Sequence, residues 1–137
     1  MVTTIDILYK GQLRCEAVHN PSKQKVETDA PVDNHGKGQR FSPTDLVATG
    51  LGTCFLTMMG IAAEQKGVSL KGAKAYVEKH MSSESPRKIV KLVVHIDMPA
   101  GITFHWRGLL EAVARECPVS KSINPDIEVD LQFNYPD

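Results

Sequence analysis

The chain of 137 residues lacks an excess of charge of either sign, because 16 basic side chains balance 16 acidic ones. Nucleic acid and anionic membranes both attract a surplus of basic residues, so neither is an expected partner. Hydrophobic residues make up 42% of the chain, too large a share for a disordered segment. This length and composition predict one domain, residues 1–137, with a core of its own.

Cysteine is scarce. Cys15, Cys54 and Cys117 are three widely separated thiols, whereas a secreted disulfide scaffold carries more cysteines, usually in even number. None of them has the C-x-x-C or C-x-x-H spacing of a structural zinc site. The five histidines lack ligand spacing, and no glycine-rich phosphate loop occurs, so no metal and no bound cofactor are expected. With no signal-peptide pattern at the start, we expect a cytoplasmic protein with reduced thiols.

Charge is also missing from one long stretch, the 18 residues from Leu46 to Ala63. This length is at the lower edge of a membrane span. Twelve of the eighteen residues are apolar, the others are glycine and threonine, and no second such stretch exists. A buried central helix therefore explains the stretch better than a membrane span does.

The sequence around this stretch contains strong signals for the two ends of a helix. Ser42 is an N-cap candidate, Pro43 suits the first helical position, and Asp45 stands where an acid can accept from the first-turn amides. The helix is predicted to reach about Lys66 and to end at Gly67. It would be about 34 Å long, enough to cross a small domain.

Alternating polar and apolar residues predict six β-strands, three before this helix as a meander and three after it. A shorter helix is predicted over residues 104–116, with Pro118 ending or kinking it. The order βββαββαβ indicates an α+β fold with antiparallel sheets. The predicted strands span residues 2–9, 13–19, 24–28, 71–81, 87–97 and 127–133. A turn at Lys10-Gly11 is predicted after the first strand, and a surface loop over residues 29–40 is predicted after the third.

The long helix is apolar around nearly its whole circumference, which demands burial on most sides. One sheet can cover only one side of it. We therefore predict a dimer, in which two such helices pack together beneath sheets from both chains.

Periodicity alone does not mark any cysteine as reactive. Cys54 and Cys117 each continue an apolar helical stripe, and free cysteine is among the most commonly buried residues. Both therefore also fit the interpretation of inert core. Cys15, on a predicted strand, is interpreted as structural.

Two segments resemble the signatures of the OsmC/Ohr family, the osmotically inducible and organic hydroperoxide resistance proteins. They are FSPTDLVATGLGTCFLTMMGIAAEQKGV, residues 41–68, and ECPVSKSINPDIEV, residues 116–129. Their order, and the order of the predicted elements, also match the family. The resemblance implies an intertwined homodimer that reduces organic hydroperoxides or hydrogen peroxide with two cysteines. By position it implies that Cys54 is the peroxidatic thiol and Cys117 the resolving one, with an external thiol or dithiol as reductant.

This chemistry needs a cation near the peroxidatic thiol. A cysteine of pKa near 8.5 is only about 3% thiolate at pH 7, and the thiolate is the nucleophile. The helix dipole fades after the first turn, whereas Cys54 lies about three turns into the predicted helix. The resemblance implies an arginine from the amino-terminal strands, held by a glutamate near the start of the cysteine helix.

The match to that arginine and glutamate is incomplete. Arg14 lies in the matching strand region, and Arg40 is the alternative. Thr44 occupies the glutamate position, and Asp45 is the nearest acid, although it equally fits the role of an N-cap acid. The departure leaves two hypotheses open: a peroxidase of reduced activity, and a non-catalytic OsmC-like dimer that binds a small apolar ligand. A cysteine hydrolase or acyl carrier would need a histidine beside Cys54, which the sequence does not indicate.

Overall fold

The structure is a computed structural model that describes residues 1–136. Contacts within the chain divide it into two compact units, Met1–Val47 and Ala48–Asp137. We refer to them as unit 1 and unit 2. The assignment of residues 1–137 to one domain stays a prediction.

Unit 1 contains an antiparallel sheet of three strands in the order β1-β2-β3, which confirms the predicted meander. The turn between β1 and β2 is formed by Gln12 and Leu13 rather than by the predicted Lys10-Gly11, because β1 continues through Gly11. A short 3-10 helix, Val32–Asn34, follows the sheet. The strands are β1 (Ile5–Gly11), β2 (Arg14–His19) and β3 (Lys25–Asp29).

Helix α1 (Pro43–Gln65) begins and ends where the sequence predicts. At its start, the Ser42 hydroxyl accepts from the Asp45 N–H at 3.0 Å, and the Asp45 carboxylate accepts from the Ser42 N–H at 2.9 Å. This reciprocal arrangement is a capping box. At its end, Gly67 has a φ of 69°, and the N–H of Val68 donates to the Ala63 carbonyl at 2.9 Å.

Unit 2 contains a second three-stranded sheet, in the order β4-β5-β6. Its last strand differs from the antiparallel prediction, because β6 pairs parallel with β5. The helices between these two strands carry the chain back across the sheet, so β6 starts at the same edge as β5. The elements are β4 (Lys74–Met81), β5 (Ile89–Asp97), α2 (Phe104–Ala114), α3 (Pro118–Ser122) and β6 (Glu128–Asn134).

Helix α3 is an element that the sequence analysis did not predict. Pro118 does end α2, as expected, but it then occupies the first turn of a new five-residue helix. Proline suits that position because the first helical N–H has no partner inside the helix.

The core of unit 2 lies between α1, β5 and α2. Helix α1 contributes Leu51, Phe55 and Met59, which recur every four residues and so share one face. Gly52 on the same helix allows a close approach to β4, since a Cβ atom there would lie 2.8 Å from a methyl group of Val77. Strand β5 and helix α2 complete the core with Leu92, Val94, Ile96, Leu110 and Ala114.

Several large apolar side chains are exposed. On β1, Ile5, Ile7 and Tyr9 face outward together, and Ile7 is 69% exposed. On α1, Val47 and Ile61 are also exposed. A second chain would cover such surfaces, as the predicted homodimer requires.

Helix α1 is also the one helix within residues 1–136 that is long and apolar enough to cross a membrane. Length and composition are weak indications of a span, because the core helix of a globular protein has the same properties. In this chain α1 places one face in the core of unit 2.

Candidate active site

Cys54 and Cys117 lie together within unit 2. Cys54 is in the middle of α1, half-buried, and packs against the core, whereas Cys117 is the N-cap of α3 and is 0% exposed. Cys54 packs against the buried cluster that includes Cys117 and is close enough to raise the pKa of its thiol, and both cysteines are free. The two residues that the family resemblance selects are therefore neighbours, although 63 positions separate them in the sequence.

The surroundings of Cys117 favour its neutral form. Burial raises the pKa of this thiol, and the neighbouring Cys54 raises it further. The backbone N–H of Ser120 donates to the Cys117 sulfur at 3.3 Å and acts in the opposite direction, but more weakly. At neutral pH Cys117 is therefore a thiol, which can donate its S–H to Cys54.

Cys15 belongs to unit 1 and has different neighbours. It is half-buried in β2, where it pairs with Tyr9 of β1 and Thr28 of β3. This position in the middle of a sheet agrees with the structural interpretation of Cys15.

Arg14 is held at the edge of unit 1 by a fixed set of partners. Its Nε donates to Asp29 Oδ1 at 2.7 Å, and its Nη2 donates to Asp29 Oδ2 at 2.9 Å and to Gln39 Oε1 at 3.0 Å. Two parallel bonds to one carboxylate fix the plane of the guanidinium as well as its position.

Asp29 keeps its charge although it is only 2% exposed. The hydrogen bonds from Arg14 lower its pKa to about 2, against the opposing effect of burial. The backbone N–H of Gln39 adds a third donor at 3.1 Å. A buried carboxylate with three donors, two of them from the guanidinium, is a rigid anchor for Arg14.

Arg40, the alternative cation, has a looser arrangement. Its Nε donates to Glu27 at 3.1 Å, and Lys10 donates to the same carboxylate at 2.9 Å. These two bonds lower the pKa of Glu27. The side chain of Arg40 is 44% exposed, against 22% for Arg14.

The acid that binds Arg14 differs from the one that the sequence analysis singled out. Asp45 closes the capping box with Ser42, and the Thr44 hydroxyl lies 3.1 Å from the Ser42 hydroxyl. An arginine-holding role for Asp45 stays a prediction. The sequence places Asp29 in a predicted loop. Strand register identifies it as the partner of Arg14, because β2 and β3 place these two residues directly opposite each other.

Within residues 1–136, no group of three or more histidine, cysteine, aspartate or glutamate side chains is arranged to hold a metal ion.

Known proteins share both sequence features and the fold of this chain. Residues 36–132, most of the chain, match the sequence model of the OsmC-like proteins. A protein from Psychrobacter arcticus, provisionally described as an osmotic stress induced and detoxification response protein, has a solved structure of TM-score 0.92. It is 39% identical, and the match covers 98% of this chain and 97% of that one.

Two further relatives are more distant. An uncharacterized protein of Acinetobacter baylyi is 26% identical over 110 residues, which cover 79% of this chain and 76% of the relative. The organic hydroperoxide resistance protein OsmC from Legionella pneumophila has a TM-score of 0.76 and 20% identity, over 98% of this chain and 97% of its own. At that identity the likeness shows a shared fold.

Proposed function

This chain belongs to the OsmC-like protein family, and from that premise we propose that it is a thiol-dependent peroxidase that reduces organic hydroperoxides or hydrogen peroxide. The observation that carries the proposal is that the free cysteines Cys54 and Cys117 lie close together in the core of unit 2. Relatives named for detoxification and for resistance to organic hydroperoxides support a role in the response to peroxide stress.

In the first step, the Cys54 thiolate attacks one oxygen of the peroxide bond. The oxygen–oxygen bond breaks, the other oxygen leaves as an alkoxide or hydroxide and takes up a proton, and Cys54 becomes a sulfenic acid. The sulfur gains one oxygen and is oxidised by two electrons, and the peroxide is reduced to an alcohol or water.

In the second step, the sulfur of Cys117 attacks the sulfur of the Cys54 sulfenic acid. A disulfide forms, and the hydroxyl group leaves as water with the proton of Cys117. Two thiol groups of an external reductant then exchange with this disulfide and restore both cysteines, while the reductant becomes a disulfide. The contact between the two residues suits this step because no large rearrangement is needed to join them.

We assign the thiolate-stabilising cation to Arg14, with Arg40 as the alternative. Lowering the pKa of a cysteine by about 2 units requires roughly 2.7 kcal/mol of preferential stabilisation of the thiolate. A guanidinium held in one plane by Asp29 and Gln39 is better suited to this than the more exposed guanidinium of Arg40. Asp45 retains its assignment as a second acid that could hold the arginine.

We also propose that the active form is a homodimer in the cytoplasm. The exposed apolar faces of β1 and α1 support a dimer, because single domains rarely leave such surfaces uncovered. The cytoplasm supplies the thiol reductants that the cycle consumes. Sedimentation showing a stable monomer at micromolar concentration would contradict the dimer.

Peroxide consumption by purified protein tests the proposal. With cumene hydroperoxide and dithiothreitol, wild-type protein should turn over continuously, and Cys54→Ser should reduce the rate to that of the reagents alone. In Cys117→Ser treated with peroxide after dithiothreitol has been removed, the sulfenic acid on Cys54 should persist and react with dimedone, which mass spectrometry detects.

Cys15→Ser is the matched control, since this thiol has no part in the cycle, and it should keep the wild-type rate. Equal rates of peroxide consumption for wild type and Cys54→Ser would contradict the peroxidase proposal. That result would favour the hypothesis of a non-catalytic dimer that binds a small apolar ligand.

A further inference from the structure

Unit 1 contains a cavity of about 300 Å³ in which three of the five lining residues are cationic. Lys10, Arg14 and Lys37 line it together with Gly11 and Gln12, and no acidic side chain within residues 1–136 lines it. Its volume is at the lower end of the range for small-molecule sites. The overall charge of the chain is zero, so this concentration of positive charge is a local feature.

Each cation is held in place by a partner. Lys10 donates to Glu27 at 2.9 Å, and Arg14 donates to Asp29, so a carboxylate fixes each of them and raises its pKa. Lys37 differs, because its ammonium donates to the uncharged Gln12 Oε1 at 2.5 Å. Its positive charge is positioned without being neutralised.

Hydrogen-bonding capacity remains after these contacts are made. Arg14 uses Nε and Nη2 for Asp29 and Gln39, and a guanidinium has a third nitrogen, Nη1, with two more donors. An ammonium group has three donors, so Lys37 also retains two. Carboxylate and phosphate oxygens are the acceptors that such donors bind most strongly.

The β1–β2 turn at the cavity has an unfavourable conformation for its sequence. Gln12 and Leu13 have φ angles of 55° and 64°, as in a type I′ turn, for which Asn-Gly is the favoured sequence. Left-handed residues other than glycine cost about 1 kcal/mol or more each, and they concentrate at functional sites. Here the side chain of Gln12 is the group that holds Lys37.

We propose that this cavity binds a small molecule through a carboxylate or phosphate group, with Lys37 and Arg14 as the principal donors and Gln12 as a positioning residue. The cavity is concave and small, which suits one anionic group better than a nucleic acid backbone. The proposal does not rest on the peroxidase activity, because binding can be measured without any peroxide.

The test is an NMR titration of ¹⁵N-labelled protein with inorganic phosphate, at constant ionic strength maintained with sodium chloride. We expect saturable shifts of the backbone amides of residues 10–13 and 37. Lys37→Gln should weaken binding about threefold to fivefold, the effect of one exposed ion pair. Lys66→Gln, which removes an exposed lysine of unit 2, should bind phosphate as wild type does.

The variant Gln12→Gly tests whether Gln12 contributes to anion binding without contributing to the stability of the fold. Glycine relieves the left-handed conformation, so this variant should be as stable as wild type or more so. It should nevertheless bind phosphate more weakly, because Lys37 loses its holding group. Weaker binding without loss of stability supports a binding role for Gln12, whereas unchanged binding overturns it.

A parallel titration with sodium acetate distinguishes the two possible sources of the anion. Saturation by phosphate alone indicates a phosphate-bearing ligand, and saturation by acetate indicates a carboxylate. Shifts that fail to saturate with either probe, or that are identical in wild type and Lys37→Gln, would overturn the proposed site.

Discussion

Asp29 in unit 1 and Cys117 in unit 2 are acids that are buried to nearly the same extent, at 2% and 0% exposure. Their pKa values nevertheless shift in opposite directions. Arg14 lowers the pKa of Asp29 to about 2, whereas burial and the neighbouring Cys54 raise the pKa of Cys117. The residues that a buried acid contacts therefore decide its charge, and burial alone does not.

This difference divides the proposed chemistry between the two units. Unit 1 supplies permanent charge, in the form of a guanidinium held by Asp29 and Gln39. The core of unit 2 supplies two thiols among apolar side chains. A peroxidase needs both, and each can be changed separately.

The largest effect on the rate of reaction with peroxide should come from removing Arg14, the cation that unit 1 supplies. Arg14→Gln removes the guanidinium that we assign to thiolate stabilisation, and an unassisted cysteine is only about 3% thiolate at pH 7. The reaction with cumene hydroperoxide should then slow by about 30-fold at pH 7 and recover as the pH rises toward 9. Stopped-flow measurement of a single turnover gives this rate.

Arg40→Gln is the matched variant and should change the same rate less than threefold, on the order expected of an exposed charge. A larger loss in Arg40→Gln than in Arg14→Gln would transfer the assignment to Arg40.

The second-largest effect is expected on the rate of disulfide closure, which should depend on pH because the pKa of Cys117 is raised. Because its thiolate appears only at a pH above the ordinary thiol range, disulfide closure should accelerate about tenfold per pH unit between pH 6 and 8. The rate of disulfide formation after a peroxide pulse, followed by acid quench and mass spectrometry, measures it. A rate independent of pH over this range would contradict the account of Cys117.

Removing Asp29 tests the charged pair in unit 1. The folded pKa of Asp29, about 2, lies below its usual value of 3.8. Its stabilising effect is therefore complete above about pH 4 and disappears as the pH falls through 4 to 2. At pH 7, Asp29→Asn should melt about 5 °C or more below wild type, and the difference should shrink toward pH 2.

Asp6→Asn, which replaces an exposed aspartate of β1, is the control for this comparison. It should melt within about 1 °C of wild type at both pH values, as is usual for surface substitutions. A constant difference between Asp29→Asn and wild type from pH 7 to pH 2 would contradict the lowered pKa.

The smallest effect is expected from the helix cap. Ser42→Ala removes the acceptor for the Asp45 N–H and should lower the free energy of unfolding by about 1 kcal/mol. Ser83→Ala, in the exposed loop between β4 and β5, should leave it unchanged. Urea denaturation at pH 7 compares the two variants, and equal stability would show that the cap is dispensable.

The features that local chemistry determines were predictable from the sequence. Both ends of α1 follow from Ser42, Asp45 and Gly67, which act within a few residues of the helix. The predicted α+β fold is confirmed for the same reason, since alternation and helical stripes are local patterns.

The features that depend on distant residues were not predictable in the same way. The parallel pairing of β6 depends on the path of the chain through α2 and α3. The pairing of Arg14 with Asp29 depends on strand register, and Asp29 had been assigned to a loop. The contact between Cys54 and Cys117 joins two helices, and only the family resemblance drew attention to both residues.

The most direct test of the central claim is to identify the bond that one equivalent of peroxide creates. Reduced protein is treated with cumene hydroperoxide without a reductant, the remaining thiols are alkylated, and the digested peptides are analysed by mass spectrometry. The account predicts a disulfide between Cys54 and Cys117, with Cys15 alkylated. A disulfide that includes Cys15, or Cys54 and Cys117 both recovered as alkylated thiols, would contradict it.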